Sequence, residues 1–356
     1  MTHNKKTYPL DLKTMFGVTT MGLSQMIANS LITGFLMLYI TDYAGLYTGI
    51  AGKAASVATL MLLIGRIWDG INDPLLGFVM DRSPRTRVGK FKPFMFWATL
   101  ASAILIIALF NIPTGFSDLF KVALIYILYI LFDTAFTLLP MGPLVQSLSN
   151  DAVVRTKLLV TPRVVTTFLS ILMSFFLAIA IALGGDGVTP NIGLAVIVFM
   201  VPMTAISLVG IAMIREGTNN ADEEKVTFKD MIAMLKTNKP QWISILSGLF
   251  GGFIFTFLMA AITYYIKYAF GAENLGTQSM IWGITILLGM VCGTLLANIV
   301  LKHVTPGMGS FISNAITIIP LAVLFLINLF GPIRNAFVLY PLLFIALLGS
   351  GMSYIP

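Results

Sequence analysis

Arg66, Asp69 and Asp73 stand at spacings of three and four residues in LLIGRIWDGINDPLLGFVMDRSPRTRVGKFKPF, residues 62–94. On a helix these three side chains share one face. Asn72, three residues beyond Asp69, adds a neutral oxygen beside the carboxylates, and Pro74 cannot donate to the carbonyl of Gly70, which leaves a backbone oxygen at the same level. Carboxylates, an amide and a freed carbonyl are the hard oxygen donors that a small cation takes, and closely spaced carboxylates alternatively share a proton. The bland alternative is an internal salt bridge of Arg66 with Asp69 or Asp73. One arginine cannot neutralise two acids, so that alternative leaves a carboxylate over. A further acid, Asp133, lies in the apolar stretch 122–148. It reads as a third carboxylate for the cation or as the partner of Arg163 or Arg66, against a bland placement in a wet crevice near an interface.

The elements that carry these residues are membrane helices. The 356-residue chain is 57% hydrophobic and 10% charged, against about 25% charged in an ordinary soluble domain. Residues 14–41, 93–117, 164–185, 187–214, 240–266, 274–301, 304–333 and 335–356 contain no Asp, Glu, Lys or Arg. Each is close to or above the ~20 apolar residues that cross a bilayer as a helix. Segments 54–80 and 122–148 are as long and carry a few charges, which makes ten spans and an all-α polytopic membrane protein. An ionised group at mid-membrane costs roughly 2.5–3.5 kcal/mol on the insertion scale, so the charged face of the second span must meet protein or water and not lipid.

The composition also excludes function classes. The first apolar segment is too long for a signal-peptide core and lacks a small-residue cleavage site, so it reads as a retained helix. The single Cys292 excludes an internal disulfide or cysteine cluster, and His3 and His303 make no conventional zinc site. No nucleophile, base and orienting group fall at recognisable spacing, which argues against an enzyme and against any cofactor other than a coupling ion. Gly52-Lys53 resembles a phosphate loop, but Ala54 follows where Ser or Thr is needed and Tyr47 replaces the first glycine. The net charge of +7 is the excess of 22 Lys and Arg over 15 Asp and Glu, and most of the basic residues fall on one side when the ten spans are threaded with the N-terminus inside. Lys53, Lys121, Lys267 and Arg334 fall on the other side, and Arg66 and Arg163 lie in or at helices. This positive-inside pattern predicts a cytoplasmic N-terminus and explains the basic balance without a nucleic-acid partner. The partners expected are the lipid bilayer and a small solute, with no obligatory protein partner.

Six spans form an N-terminal bundle over residues 1–214, a polar linker runs over 215–240, and a C-terminal bundle occupies 241–356. In the linker, Thr227 and Asp230 form a capping-box pattern that predicts a short amphipathic helix, FKDMIAMLK, lying on the cytoplasmic surface and ended by Pro240. A merely solvated linker is the alternative. The chain stops in GSGMSYIP, inside an apolar segment. Six spans followed by four predict that two helices of a repeated second half are absent.

The turn after the second span, with Gly77, Asp81, Arg82, Arg85, Arg87, Gly89, Lys90 and Lys92, resembles the loop between helices 2 and 3 of the major facilitator superfamily. RIWDGINDP followed by DR and GKFKP resembles, more specifically, the melibiose-type glycoside, pentoside and hexuronide cation symporters. LPMGPLVQSLSNDAVVRT, residues 139–156, resembles that family's turn after helix 4, and Arg163 of TPRVVTTFLS matches its arginine in helix 5. The resemblance implies a major facilitator fold of twelve helices, ten of them present, working by alternating access around a central cavity. It implies symport of a glycoside or related sugar with Na⁺ or H⁺. Asp69, Asn72 and Asp73, with Asp133, would bind the coupling cation, with any Na⁺ held at Asp69 and Asp73. By the same resemblance Arg163 and the adjacent cavity wall would meet the sugar, and Gly77, Asp81, Arg82, Arg87, Gly89 and Lys90 would form a gating loop. From their own chemistry Arg66, Gln25, Asn29, Trp68 and Tyr264 are further candidates for contact with the sugar.

The chain departs from the melibiose-type pattern at two places. Helix 1 offers Ser24, Gln25, Met26 and Asn29 with no acid, and Leu138 stands before Pro140 where an acid is expected. Asp133 is five residues from Leu138 and about 140° round the helix, so it is no direct replacement. Tyr264 and Tyr265 read equally as interface anchors, and Trp68 equally as lipid-facing. The alternatives to symport are an uncoupled facilitator, a carrier of another hydrophilic solute, or a membrane protein that does not transport.

Overall fold

In the computed structural model, the structure describes residues 11–48, 52–149, 151–185, 189–216, 261–300 and 306–352, with isolated positions between them. The described residues are overwhelmingly helical, and their one β feature is an isolated bridge between Thr86 and Gly89. The chain forms two compact units, Met1–Val165 with Val196–Phe257 and Thr166–Ala195 with Leu258–Pro356. The linker helix expected over residues 228–236 lies outside the described residues.

The first unit opens with α1 (Leu12–Thr20), α2 (Leu23–Leu31) and two π-helical turns, Ile32–Leu36 and Tyr39–Tyr43. Then follow α3 (Lys53–Arg82), α4 (Lys92–Leu109), α5 (Asp118–Thr137), α6 (Met141–Leu148) and α7 (Ala152–Ser174), which from Thr166 onward belongs to the second unit. After α8 (Phe176–Gly184), α9 (Ile192–Met213) returns to this unit. Six described stretches are long and apolar enough to cross a membrane, at Lys53–Arg82, Lys92–Leu109, Asp118–Leu148, Ile192–Met213, Leu275–Ala297 and Met308–Asn328.

Three further expected spans take interrupted or shorter forms. The span expected at 14–41 is broken at Met21-Gly22, where α1 gives way to α2. The span expected at 164–185 is interrupted at Phe175 between α7 and α8, and the segment from 335 yields a 17-residue helix, Ala336–Met352. Of the span expected at 240–266, residues from 261 onward are helical and most of the rest lie outside the described residues.

One core of the first unit brings Val18 and Met21 of the opening segment against Phe91, Met95, Leu144, Leu158, Ile211 and Ile214. The helices approach closely because glycines face each other. A Cβ placed on Gly17 would lie 2.6 Å from the Gly210 carbonyl oxygen of α9. Small residues give this proximity in membranes, where apolar burial between helices supplies little driving force. By contrast, Leu63, Ile67, Ile71 and Leu75 make an exposed apolar stripe along α3. Spaced by four, these residues form the lipid face of a span whose charged residues occupy another side.

In the second unit, α10 (Leu275–Val300), α11 (Pro306–Asn328) and α12 (Ala336–Met352) pack together. A Cβ on Gly351 would sit 2.6 Å from the Met290 carbonyl. Tyr340 hydroxyl lies 2.8 Å from Gln278 Oε1, a polar tie between α12 and α10.

Candidate functional site

The polar face of α3 meets α5 and the opening segment around a cavity of about 380 Å³. Arg66, Asp69 and Asp73 come from α3, and Tyr129, Asp133 and Thr137 from α5. Asn29, Ile32 and Thr33 of the opening segment, with Phe132, Phe136 and Leu139, complete the wall. The three-and-four spacing on α3 therefore does put its charges on one face, and α3 runs through Pro74 as a single 30-residue helix. Asp133 and Thr137, four apart on α5, share the face turned to the same cavity.

The Arg66 guanidinium donates to Asp69 Oδ2 at 3.1 Å, so the internal ion pair of the bland alternative is present. It leaves Asp73, whose partner is different. The Thr137 hydroxyl reaches Asp73 Oδ1 at 3.0 Å and the Asp133 carbonyl at 3.1 Å, and it accepts from Asn72 Nδ2 at 3.3 Å. Asn72 is only 3% exposed, and through Thr137 its amide is tied to the carboxylate one residue along. Asp133 faces Asp69, with Arg66 and Asp73 as its other charged neighbours, and its buried Oδ2 has no hydrogen-bond partner among the described residues.

Three carboxyl groups face one guanidinium among the described residues of this cavity, so its acids outnumber its fixed positive charge. A low-dielectric pocket with that imbalance draws a cation and disfavours an anion. The donor set is hard oxygen throughout, which suits a proton or a small monovalent ion. No group of three His, Cys, Asp or Glu converges tightly enough to hold a metal ion by itself among the described residues. The carboxylates share a cavity without meeting at one point.

The ring of Tyr129 lies directly on Gly65, where a Cβ would overlap Cε1 of the ring. Glycine at 65 therefore lets a buried aromatic wall reach the cavity beside Asp133. Trp68 turns to the helix interface, donating from Nε1 to Thr134 Oγ1 at 2.9 Å, and is not among the cavity residues. Gln25 is also set apart. Its Nε2 donates to Thr99 Oγ1 of α4 at 2.9 Å, and its buried Oε1 has no partner among the described residues. Tyr264 belongs to the second unit and stacks on Tyr268 with ring centroids 6.4 Å apart. Arg163 lies within α7, and its side chain falls outside the described residues.

The basic turn expected to gate the site is a built structure. Gly77 lies in α3, Arg82 places its guanidinium 3.8 Å from the Phe78 ring centroid, and Lys90 Nζ donates to the Asp81 carbonyl at 2.9 Å. Arg87 is exposed. Gly89 takes φ +125°, a left-handed conformation that suits glycine alone. Against it lies Glu216, which sequence reading did not single out. Its carboxylate accepts from the backbone N–H groups of Lys90 at 2.5 Å, Phe91 at 3.0 Å and Lys92 at 2.6 Å. These are donors that the start of α4 cannot satisfy within the helix, and a carboxylate suits the positive end of the helix dipole. Thr137, Tyr129 and Thr33 were likewise not singled out. The signal for Thr137 and Tyr129 was their spacing of four on either side of Asp133; nothing in the sequence ties Glu216 to residue 89.

Comparison with known proteins identifies the family. The profile of the family described as MFS/sugar transport protein matches residues 16–355. The chain is 25% identical to the uncharacterized symporter YnaJ of Bacillus subtilis (strain 168), over 64% of its own length and 50% of that protein's. It is 25% identical to an isoprimeverose transporter of Lactiplantibacillus pentosus, over 80% of its length and 59% of the transporter's. It is 31% identical to a glucuronide carrier protein homolog of Escherichia coli (strain K12), over 37% of its length and 28% of that protein's. The match spans about half the length of the first of these relatives. The chain belongs to the MFS/sugar transport protein family, a multi-pass membrane family of transporters with the all-α major facilitator fold.

Proposed function

We propose that the protein is a secondary transporter that moves a glycoside or related sugar together with a cation, Na⁺ or H⁺, by alternating access. The observation that carries this reading is the cavity between α3, α5 and the opening segment, with Asp69, Asp73 and Asp133 set against Arg66, the one guanidinium among its described lining residues. The excess negative charge attracts the cation. Once the cation is in place the cavity is closer to neutral, and a polyhydroxylated solute can exchange its water for Arg66, Asn29 and Thr33, with Tyr129 as an apolar wall for a sugar ring. The printed names of the relatives, a symporter, an isoprimeverose transporter and a glucuronide carrier homolog, support the solute class. The positive-inside pattern supports insertion in the cell membrane with the N-terminus in the cytoplasm.

The test is uptake of labelled galactosides, glucosides, xylosides and glucuronides by cells expressing the natural reading frame, with Na⁺ and H⁺ gradients imposed separately. Accumulation that needs one gradient and is lost in Asp69→Asn is the expected result. Equal uptake in Asp69→Asn and Asp73→Asn under every gradient refutes the cation site and leaves an uncoupled facilitator.

A further inference from the structure

The junction of α1 and α2 contains an unusual hydrogen-bond arrangement. In a continuous helix, Ser24 N–H would donate to the Thr20 carbonyl four residues back. Here the Ser207 hydroxyl of α9 stands between them. It accepts from Ser24 N at 2.9 Å and donates to the Thr20 carbonyl at 3.0 Å. One hydroxyl is thus spliced into the helix ladder in place of a direct bond. Insertion of a side chain into the ladder is one of the few physical causes of a sharp helix bend.

The surroundings fix the splice. Ser24 and Ser207 are completely buried, so bulk water does not compete for either group. Ser24 Oγ lies 3.0 Å from Thr204 Oγ1, one turn earlier on α9, which gives the junction a second tie to the same helix. Gly17 and Gly210 let the two backbones come close enough for the hydroxyl to enter. At the break itself, Gly22 has φ −92° and ψ 1°, away from helical values. Beyond the break, α2 carries Gln25 to its bond with Thr99 and then Asn29 to the cavity wall.

We infer that Ser207 is a positioning residue, whose hydroxyl holds the first membrane segment broken at Met21-Gly22 and thereby sets the direction in which α2 presents Asn29 to the cavity. Closing the direct Ser24 to Thr20 bond would bring α1 and α2 toward one axis and turn the whole segment from Gln25 onward. The junction is therefore the pivot about which this wall of the cavity can move while α1 stays clamped on α9. The functional meaning of that wall rests on the transport reading above. The geometry of the junction does not.

The experiment is a distance measurement by spin labels at Leu12→Cys and Asn29→Cys, both exposed positions flanking the break, in the full chain with Cys292→Ser. Ser207→Ala is expected to shift the mean distance by about 3 Å, the axial rise of two helical residues. An unchanged distance in folded Ser207→Ala overturns the proposal. Gly22→Ala provides the second arm, because a Cβ there meets nothing within 4 Å and the variant has no steric reason to misfold. The distance is expected to stay at the parent value in Gly22→Ala. A shift there like the one assigned to Ser207→Ala would make the glycine, and not the spliced hydroxyl, the cause of the break. Neither arm needs sugar or cation, so a protein that transports nothing still decides the question.

Discussion

The hydroxyl of Thr137 lies 3.0 Å from a carboxylate oxygen of Asp73 and 3.1 Å from the carbonyl of Asp133, with one hydrogen to give and two acceptors to choose from. Ionised Asp73 is the stronger acceptor, because charge-assisted hydrogen bonds are roughly twice as strong as neutral ones. A cation arriving at Asp73 must compete with that bond, whereupon the hydroxyl turns back to the helix. Thr137→Val removes the competitor and is expected to lower the cation concentration for half-maximal uptake about fivefold, the equivalent of ~1 kcal/mol. Thr137→Ser keeps the parent value. A higher half-maximal concentration in Thr137→Val would instead make the hydroxyl a ligand of the cation.

How much of this was legible in the sequence divides along physical lines. Spacing of three and four on one uninterrupted apolar segment fixes a helix face, so Arg66, Asp69 and Asp73 were legible together. Asp133 was legible as a costly acid in an apolar span, but not as the partner that faces Asp69, because that depends on the rotation of α5 against α3. Gln25 and Trp68 show the limit from the other side. Each sits near the right depth, yet a buried amide or indole N–H is drawn to whatever acceptor packing supplies, here Thr99 and Thr134. The break in the first span was hidden for the same reason, since its cause is a serine 183 residues away from Ser24.

The turn between α3 and α4 is expected to fail when either half of its anchor is removed. Gly89→Ala places a methyl group on the Glu216 carboxylate and forces a left-handed alanine, and Glu216→Ala leaves three N–H donors at the head of α4 without their acceptor. Each change is expected to lower stability by about 1–3 kcal/mol. Thermal unfolding in detergent checks this, with the double variant costing less than the sum because both changes disrupt one contact. Strict additivity would show that the two residues do not act together.

Gly65→Ala puts a methyl group where the Tyr129 ring now lies. The ring has to leave α3, and overpacking of this kind costs about 1–3 kcal/mol. Sugar KM is expected to rise roughly tenfold, since 1.4 kcal/mol is a factor of ten, because the displaced ring either enters the cavity or abandons its wall. Adding Tyr129→Leu to Gly65→Ala is expected to restore stability by removing the overlap while leaving sugar KM high. If that pair instead recovers parent KM, Tyr129 is a spacer and not a wall for the solute.

The contact of α1 with α9 separates glycines that a close approach requires from those that it does not. At Gly17 a Cβ would lie 2.6 Å from a backbone carbonyl of Gly210 and 2.7 Å from Ile214, so the helices must part. At Gly34 a Cβ meets nothing within 4 Å, although both residues belong to the same membrane segment. Gly17→Ala is therefore expected to destabilise by about 1–3 kcal/mol, and Gly34→Ala to be neutral or mildly stabilising because alanine is the better helix former. Parting the helices also draws Ser207 away from Thr20 and Ser24, so Gly17→Ala should shift the distance between labels at Leu12 and Asn29 as Ser207→Ala does. A Gly17→Ala protein that melts with the parent and keeps the parent distance would show that the crossing is loose enough to absorb a methyl group, and that the splice does not depend on how closely α9 approaches.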